Sequence, residues 1–400
     1  NNRYMYVFTV APAPPLASWT FMVYLDADNS LESFGIEDLN EMEITGSTSD
    51  VNIIALIDRI PGYDSGNGDW TTARIYHVLG DPDPSNINSQ LLADIGEANM
   101  GDPNLLIWFA ENMIEAYPAD HYALVLWDHG SGWKILAAAP PTKGVCYDDT
   151  DGDYLTTGEL ELALGTIRDD IGVGIDVMGF DACLMQMVEV GYQIRNGASI
   201  MVGSEETEPG EGWPYDTILS SLTATPAMTP SELSSQIVAR YVESYAYSGI
   251  TLSALDLAQI SNLATTIDAF AQTLGSMFPQ YGTQISIARD GTHEYTDHEY
   301  VDLYHFAYLI KTTISDPGIQ DSADQVLTAL ENTVMAEGHS SDQADSHGAS
   351  IYFPEAEGIY FSSYRNLKFS QHTSWDEFLS VFFTAPGVVH GTIRDVETET

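Results

Sequence analysis

Cysteine is almost missing from this chain. Two occur in 400 residues, Cys146 and Cys183, which excludes a disulfide framework and a cysteine-rich zinc centre. A single Cys146–Cys183 bridge stays open, as does a pair of free thiols with Val145-Cys146-Tyr147 in a strand. Positive charge is the second scarcity. Thirteen Lys plus Arg face 59 Asp plus Glu, a net charge of −46. A field of that sign repels nucleic acid and anionic membranes and keeps a protein dissolved at high salt, so the surface reads as extracellular or saline-adapted. Long apolar runs are lacking too, since none reaches the ~20 residues that span a bilayer. The chain does not begin with methionine, and Met5–Val10 is too short for the apolar part of a signal peptide. It reads as a processed or trimmed form.

What remains is a globular composition, 44% hydrophobic, long enough for one large or two medium domains. From Trp19 onward, strand-like and helix-like runs alternate. Phe21–Leu25, Val51–Ile57, Ala73–Leu79, His121–Leu126, Ile175–Phe180 and Ala198–Gly203 read as strands. Between them, helices are expected over Leu31–Glu43, Ser89–Asp94 and Asn104–Tyr117. Such alternation predicts an α/β fold with a mostly parallel sheet covered on both faces. From about Thr229 helical spacing dominates, over Ser231–Tyr247, Leu257–Phe278, Tyr300–Ile314 and Ser322–Glu337, with strand-like Ile250–Leu255 and Ala349–Phe353 between. The expected organisation is a Pro-rich lead-in over 1–17, a core over 18–225, a helix-rich part over 226–385, and a linker or further β module over 386–400.

Two of the strands end in chemistry. His121–Leu126 runs into Trp127-Asp128-His129-Gly130, and Ile175–Phe180 runs into Asp181-Ala182-Cys183. If the strands are parallel neighbours, His129 and Cys183 leave the sheet at its carboxyl edge, where ligands bind in open α/β folds. Leu184, Met187, Val188, Gly191 and Ile194 have helical spacing, which puts Cys183 at a helix N-terminus, where the dipole favours a thiolate. A thiolate beside an imidazole is a nucleophile beside its base. The plain alternatives are a core cysteine and a loop histidine. Asp181, two residues before Cys183, points to the same side of an extended chain and could pair with a cationic substrate group. The loop Ser204–Glu211 offers further acids, Glu211 first and Glu206 second.

The pairing of LWDHGSGW with GFDAC resembles the clostripain family of cysteine peptidases, in the clan of caspases, gingipains and legumain. WTFMVYLDADNSLE (Trp19–Glu32), GVCYDDTDGDYLTTGEL (Gly144–Leu160), SEETEPGEGWPYD, ITLSALDL and GASIYFP (Gly348–Pro354) carry the likeness along the chain. The resemblance implies a caspase-like α/β/α sandwich and a secreted endopeptidase working through a His129–Cys183 dyad. The backbone N–H groups of Gly130 and Cys183 would form its oxyanion hole. It implies cleavage of peptides after Arg or Lys, with Asp181 in the specificity pocket. It also implies maturation by a cut between His and Cys. The segment KILAAAPPTK between them, with its two prolines and two lysines, reads as an exposed loop, where nicking is favoured, so self-cleavage is expected after Lys143 or Lys134 and yields associated light and heavy chains.

Calcium is a further implication of the resemblance. Asp148, Asp149, Asp151 and Asp153 have the oxygen density for it but not the spacing of an EF-hand, which would put the first ligand at Tyr147 and the last at Gly158. The competing readings are a catalytically silent caspase-like surface or adhesion module and another thiol hydrolase such as an amidase.

Overall fold

The computed structural model describes residues 16–134, 144–245 and 249–384. Residues 1–15 of the expected lead-in, Lys143 and the tail after Pro386 lie outside the described residues, and Ala17, expected in the lead-in, opens the first strand. The first half supplies strands β1 (Ala17–Ala27), β2 (Val51–Arg59), β3 (Ala73–His77), β4 (Gln90–Gly96) and β5 (Ala119–Trp127), with helices α1 (Glu32–Thr45) and α2 (Pro103–Ala116). A hairpin of β6 (Val145–Asp148) and β7 (Asp153–Leu155) follows, then α3 (Thr157–Ile171), β8 (Ile175–Asp181), α4 (Val188–Ile194) and β9 (Ala198–Gly203). The rest comprises α5 (Tyr215–Ala224), α6 (Pro230–Ser244), β10 (Thr251–Asp256), α7 (Ile260–Asp290), β11 (Tyr300–Asp302), α8 (Leu303–Thr313), α9 (Pro317–Thr333), β12 (Val334–His339) and β13 (Ser350–Tyr352). Two short helices, α10 (Lys368–His372) and α11 (Trp375–Thr384), end the described chain.

One sheet of nine strands runs through the molecule in the order β12-β10-β9-β8-β5-β1-β2-β3-β4. Its five central strands are parallel, and both flanks are antiparallel. The central strands are apolar on both faces because helices cover both. Phe21, Val23 and Leu25 pack with Ile36, Leu39, Leu219 and Ile237 on one side. Met22 and Tyr24 pack with Phe109, Met113 and Ile167 on the other. This is the α/β/α sandwich, and its near-continuous strands follow from two-sided burial.

The helix expected over Ser89–Asp94 is an edge strand, β4, bulged twice against β3 and largely solvated. So short a stretch cannot tell helix from strand by its pattern, and pairing with β3 decides it. The helices expected to run from Tyr300 and through Glu337 are shorter than their apolar spacing, since β11 and β12 take their ends. Residues 226–385 add β10 and β12 to the central sheet and pack α7, α8 and α9 against its Met22 face. Among the described residues no helix is long and apolar enough to cross a membrane.

Two buried glutamates, Glu189 in α4 and Glu205 just after β9, fasten this second half to the core. Glu189 accepts the Tyr352 N–H at 3.0 Å and the Tyr364 hydroxyl at 2.9 Å. Glu205 accepts the Tyr295 hydroxyl and the Gly348 N–H, both at 2.9 Å. Burial pushes the pKa of their carboxyls up to about 7 and about 8. In the unfolded chain a glutamate loses its proton near pH 4.3, so across this window the folded protein holds more protons than the unfolded one. Stability is then greatest on the acid side and declines as pH rises through the folded values. Thermal melts between about pH 4.5 and 8.5 should show a falling midpoint, and Glu189→Gln should flatten the fall. A midpoint that climbs with pH would contradict this.

Candidate active site

The register of β5 and β8 sets the site. Trp127 lies opposite Asp181, and the Asp128 N–H donates to the Asp181 carbonyl at 3.2 Å. His129 and Cys183 each follow two residues later, so they emerge side by side. The two segments touch at Gly130, where a Cβ would stand 2.4 Å from the Cys183 carbonyl oxygen and 3.1 Å from its nitrogen. Only glycine fits there.

Beyond Cys183 the chain departs from the expected helix. Leu184 takes a positive φ of 64°, strained for a branched side chain, and α4 begins only at Val188. The turn is held by the Leu184 N–H on the Glu206 carbonyl and the Gln186 N–H on the Ser204 carbonyl, both at 3.0 Å. Cys183 is therefore displayed on a tight turn and lacks the help of a helix dipole. Its sulfur accepts the Glu208 N–H at 3.2 Å, but burial dominates and pushes the thiol up. His129 stands at the lip of the same pocket, and desolvation lowers its imidazole despite the charge of Asp149. Both effects favour a neutral thiol beside a neutral imidazole.

A pocket of about 140 Å³ is lined by Trp127, His129, Asp181, Cys183, Glu208 and Gly210, among others. Asp181 is 4% exposed and accepts the Tyr215 hydroxyl at 2.8 Å and the Trp213 N–H at 3.2 Å. Burial raises it to about 6 in spite of those donors. The Glu208 carboxyl lies against Asp181 and is pushed well up, first by burial and then by the Asp181 charge. Neither Glu208 oxygen has a donor partner. Two touching carboxyls without a cation hold a proton between them, as a shared acid pair does.

Of the acids in the Ser204–Glu211 loop, Glu208 lines the pocket and the expected Glu211 and Glu206 do not. Glu211 is exposed and does not line the pocket. It rides a Pro209-Gly210-Glu211-Gly212 turn closed by the Gly212 N–H on the Pro209 carbonyl at 3.0 Å. That turn signature was visible in the sequence and sends the Glu211 side chain outward. Glu206 is buried but committed elsewhere, accepting the Thr296 and Thr207 N–H groups. Glu208 was missed because spacing from Cys183 cannot say which way the loop folds back.

The strand end Asp26–Ser30 was missed as well. Asn29 is 2% exposed and donates to Asp128 at 2.7 Å and to the Tyr147 carbonyl at 3.0 Å. Its neighbour Ser30 places its hydroxyl 3.2 Å from His129 Nε2. A serine thus orients the imidazole, where the sequence offered no third residue.

Other expectations are redistributed. Cys146 and Cys183 are both free thiols. Lys134 is 2% exposed and fixed by Asp297 and Glu299 over the Tyr300 ring. It is no exposed loop residue, and a cut after it would need that ion cluster to open. The quartet Asp148, Asp149, Asp151 and Asp153 does not converge. Asp148 and Asp151 face Glu97, whereas Asp153 accepts from Asn99 and Asp149 influences His129.

Residues 23–382 match the sequence model of the clostripain family. Clostripain of Hathewaya histolytica is 34% identical over 224 residues, covering 51% of this chain and 42% of that protein, so the match spans under half of that relative's length. A secreted C11 cysteine protease from Bacteroides thetaiotaomicron, solved with an irreversible peptide inhibitor, superposes with a TM-score of 0.67 at 22% identity, over 90% of this chain and 100% of that one. An inactive zymogen C11 protease from Parabacteroides distasonis gives 0.66 at 18%, over 90% and 99%. At these identities the structural likeness is one of fold.

The neutral resting pair has a direct readout. Alkylation of Cys183 by iodoacetamide in substrate-free protein should keep accelerating above about pH 8.5, the ordinary thiol value. A rate already flat by about pH 7 would mean a resting thiolate.

Proposed function

The chain belongs to the clostripain family of cysteine proteases, and from that premise we propose that it is a secreted endopeptidase that cuts after arginine or lysine. The observation that carries the specificity is the Asp181–Glu208 pair in the pocket that also holds Cys183 and His129. A substrate guanidinium or ammonium entering there takes over the role of the shared proton. An arginine can engage two carboxylates through its planar fork.

In the reaction, His129 removes the Cys183 proton as the sulfur attacks the scissile carbonyl. Ser30 on Nε2 leaves Nδ1 as the nitrogen for that proton. The N–H groups of Gly130 and Cys183 receive the oxyanion, a reading supported by the close approach of the two backbones at Gly130. His129 then protonates the departing amine, and water releases the acyl group from sulfur. Against the silent-module reading stands the gathering of Cys183, His129, Asp181 and Glu208 around one pocket. Asp181→Asn and Glu208→Gln should each lower kcat/KM on arginine peptides by about 30-fold or more, since removing one partner of a buried charge pair costs about 2–5 kcal/mol. For wild type, KM on such peptides should fall as pH rises through about 6, where Asp181 gives up its proton. Variants that cut arginine peptides as well as wild type, or a KM that rises over that range, would refute the pocket assignment.

Self-activation fits the same specificity, now at Lys143 alone of the two lysines. The residue after it, Gly144, is tied to the Ser131 hydroxyl through its N–H at 3.0 Å. A cut between Lys143 and Gly144 would leave β5 in one fragment and β8 in the other, still paired in one sheet. Intact-mass analysis should find two associated fragments in active wild type and one chain in Cys183→Ala. Full activity of an uncut chain, or equal nicking of the inactive variant, would overturn self-activation.

A further inference from the structure

A second cavity, of about 440 Å³, lies along α1 and shares no lining residue with the pocket of about 140 Å³ at Cys183. Successive turns of α1 form one wall with Ile36, Glu37, Asn40, Glu41 and Ile44. The loop after β2 brings Asp64 and Asn67, and the loop after β3 brings Pro82 and Pro84. Three carboxylates and two amides thus share the cavity with apolar side chains, and no Lys, Arg or His lines it. Among the described residues no cation is ion-paired to Glu37 or Glu41. Asp64 meets Arg59, at 4.0 Å.

Acids on so acidic a protein would by themselves mean little. The separate observation is Asn40, which is 7% exposed. Asparagine is a poor residue for a helix interior, and the other buried polar side chains of α1 have N–H partners. Glu32 accepts from Arg59 at 2.8 Å, Asp38 from the Trp127 indole at 2.5 Å, and Glu43 from the Asn88 N–H at 2.9 Å. Asn40 donates its amide N–H to the Ile36 carbonyl at 2.7 Å, and its Oδ1 has no donor. Asn67 has an Oδ1 in the same condition. A buried acceptor without a donor is costly, and here two such acceptors belong to residues lining one cavity. Burial, and then the charge of Asp216, raises Glu41 to about 7 although it accepts the Tyr215 N–H at 3.1 Å. That is the state of an acid with no cation beside it.

We propose that this cavity binds an ammonium or guanidinium group on an apolar stem, as lysine and arginine side chains carry theirs. The amide oxygens of Asn40 and Asn67 would accept its N–H groups, and Glu37 and Glu41 would supply the countercharge. The stem would lie along Ile36, Ile44, Pro82 and Pro84, in the way a long basic side chain covers apolar surface. Ile44 is 57% exposed, so there is apolar surface to cover. The volume suits an organic cation better than a bare ion, and the carboxylates repel anions. Two sources present this chemistry, a basic side chain of a bound polypeptide and a free alkylamine. On a polypeptide the cavity would act as a second hold on the substrate, away from the scissile bond. The placement allows it, since α1 follows directly on Leu31, which lines the catalytic pocket.

Calorimetry on the full chain with Cys183→Ala needs no turnover, so its result stands apart from the peptidase reading. The probe is the diamine cadaverine, with ammonium chloride and sodium chloride of matched ionic strength as controls. A saturable site should persist when Asp181→Asn or Glu208→Gln is added, because those changes alter only the catalytic pocket. Asn40→Leu should weaken that site about tenfold or more, since it removes a hydrogen bond to a charged group. Glu37→Gln, at an exposed position, should keep the thermal midpoint and weaken the site about threefold, as loss of an exposed ion pair does. Kinetics of the active chain then separate the two sources. If a polypeptide occupies the cavity, both α1 variants raise KM on a lysine-rich protein and leave KM on a short arginine peptide unchanged. An unchanged KM on both substrates, with cadaverine binding weakened, assigns the cavity to free alkylamines. The absence of a saturable site after Asp181→Asn and Glu208→Gln, or binding that neither α1 variant weakens, would overturn the proposal. So would equal effects from ammonium or sodium chloride, which carry no stem.

Discussion

The parallel pairing of β5 with β8 is the constraint on which the site depends. Because Trp127 faces Asp181, the histidine and the cysteine rise together from neighbouring strands, and the acid at the pocket floor is set in the same stroke. A slip of one residue in that register would turn every side chain of one strand to the opposite face. Burial on both faces of the sheet forbids the slip, so the covering helices indirectly hold His129 beside Cys183. Gly130 shows how tight the fit is, since nothing larger than hydrogen can point at the Cys183 carbonyl.

Burial is also the force behind the electrostatics. It raises Cys183, lowers His129, and keeps a proton between Asp181 and Glu208. The empty site is therefore nearly neutral in its reacting parts, even though the chain carries a charge of −46. Under the proposed specificity, a substrate cation would change that balance by displacing the pocket proton beside the sulfur. Binding and charge rearrangement are coupled because the two acids and the thiol line one small pocket.

The strands and their order of use were legible because a two-sided parallel sheet writes long apolar runs into the sequence, and His129 and Cys183 each follow such a run. Asp181 was legible for the same reason, being two residues from the nucleophile along an extended chain. What could not be read lies in loops. Whether Glu206, Glu208 or Glu211 enters the pocket depends on how Gly210 and Gly212 bend the backbone. Ser30 reaches His129 across 99 positions of sequence, a pairing that no local pattern encodes. The helix after Cys183 was anticipated four residues too early because Leu184 keeps the helical apolar period while its backbone adopts a positive φ. Lys134, between a catalytic strand and a Pro-containing segment, looked solvated, yet it is buried among Tyr300, Asp297 and Glu299.

The central claim is that a Cys183 nucleophile and an acidic pocket act on one peptide. A peptide-library cleavage profile of wild type beside Cys183→Ala tests it most directly. The expected result is cleavage confined to bonds that follow arginine or lysine, present in wild type and absent from the variant. Cleavage after acidic or apolar residues, or an undiminished profile from Cys183→Ala, would contradict it.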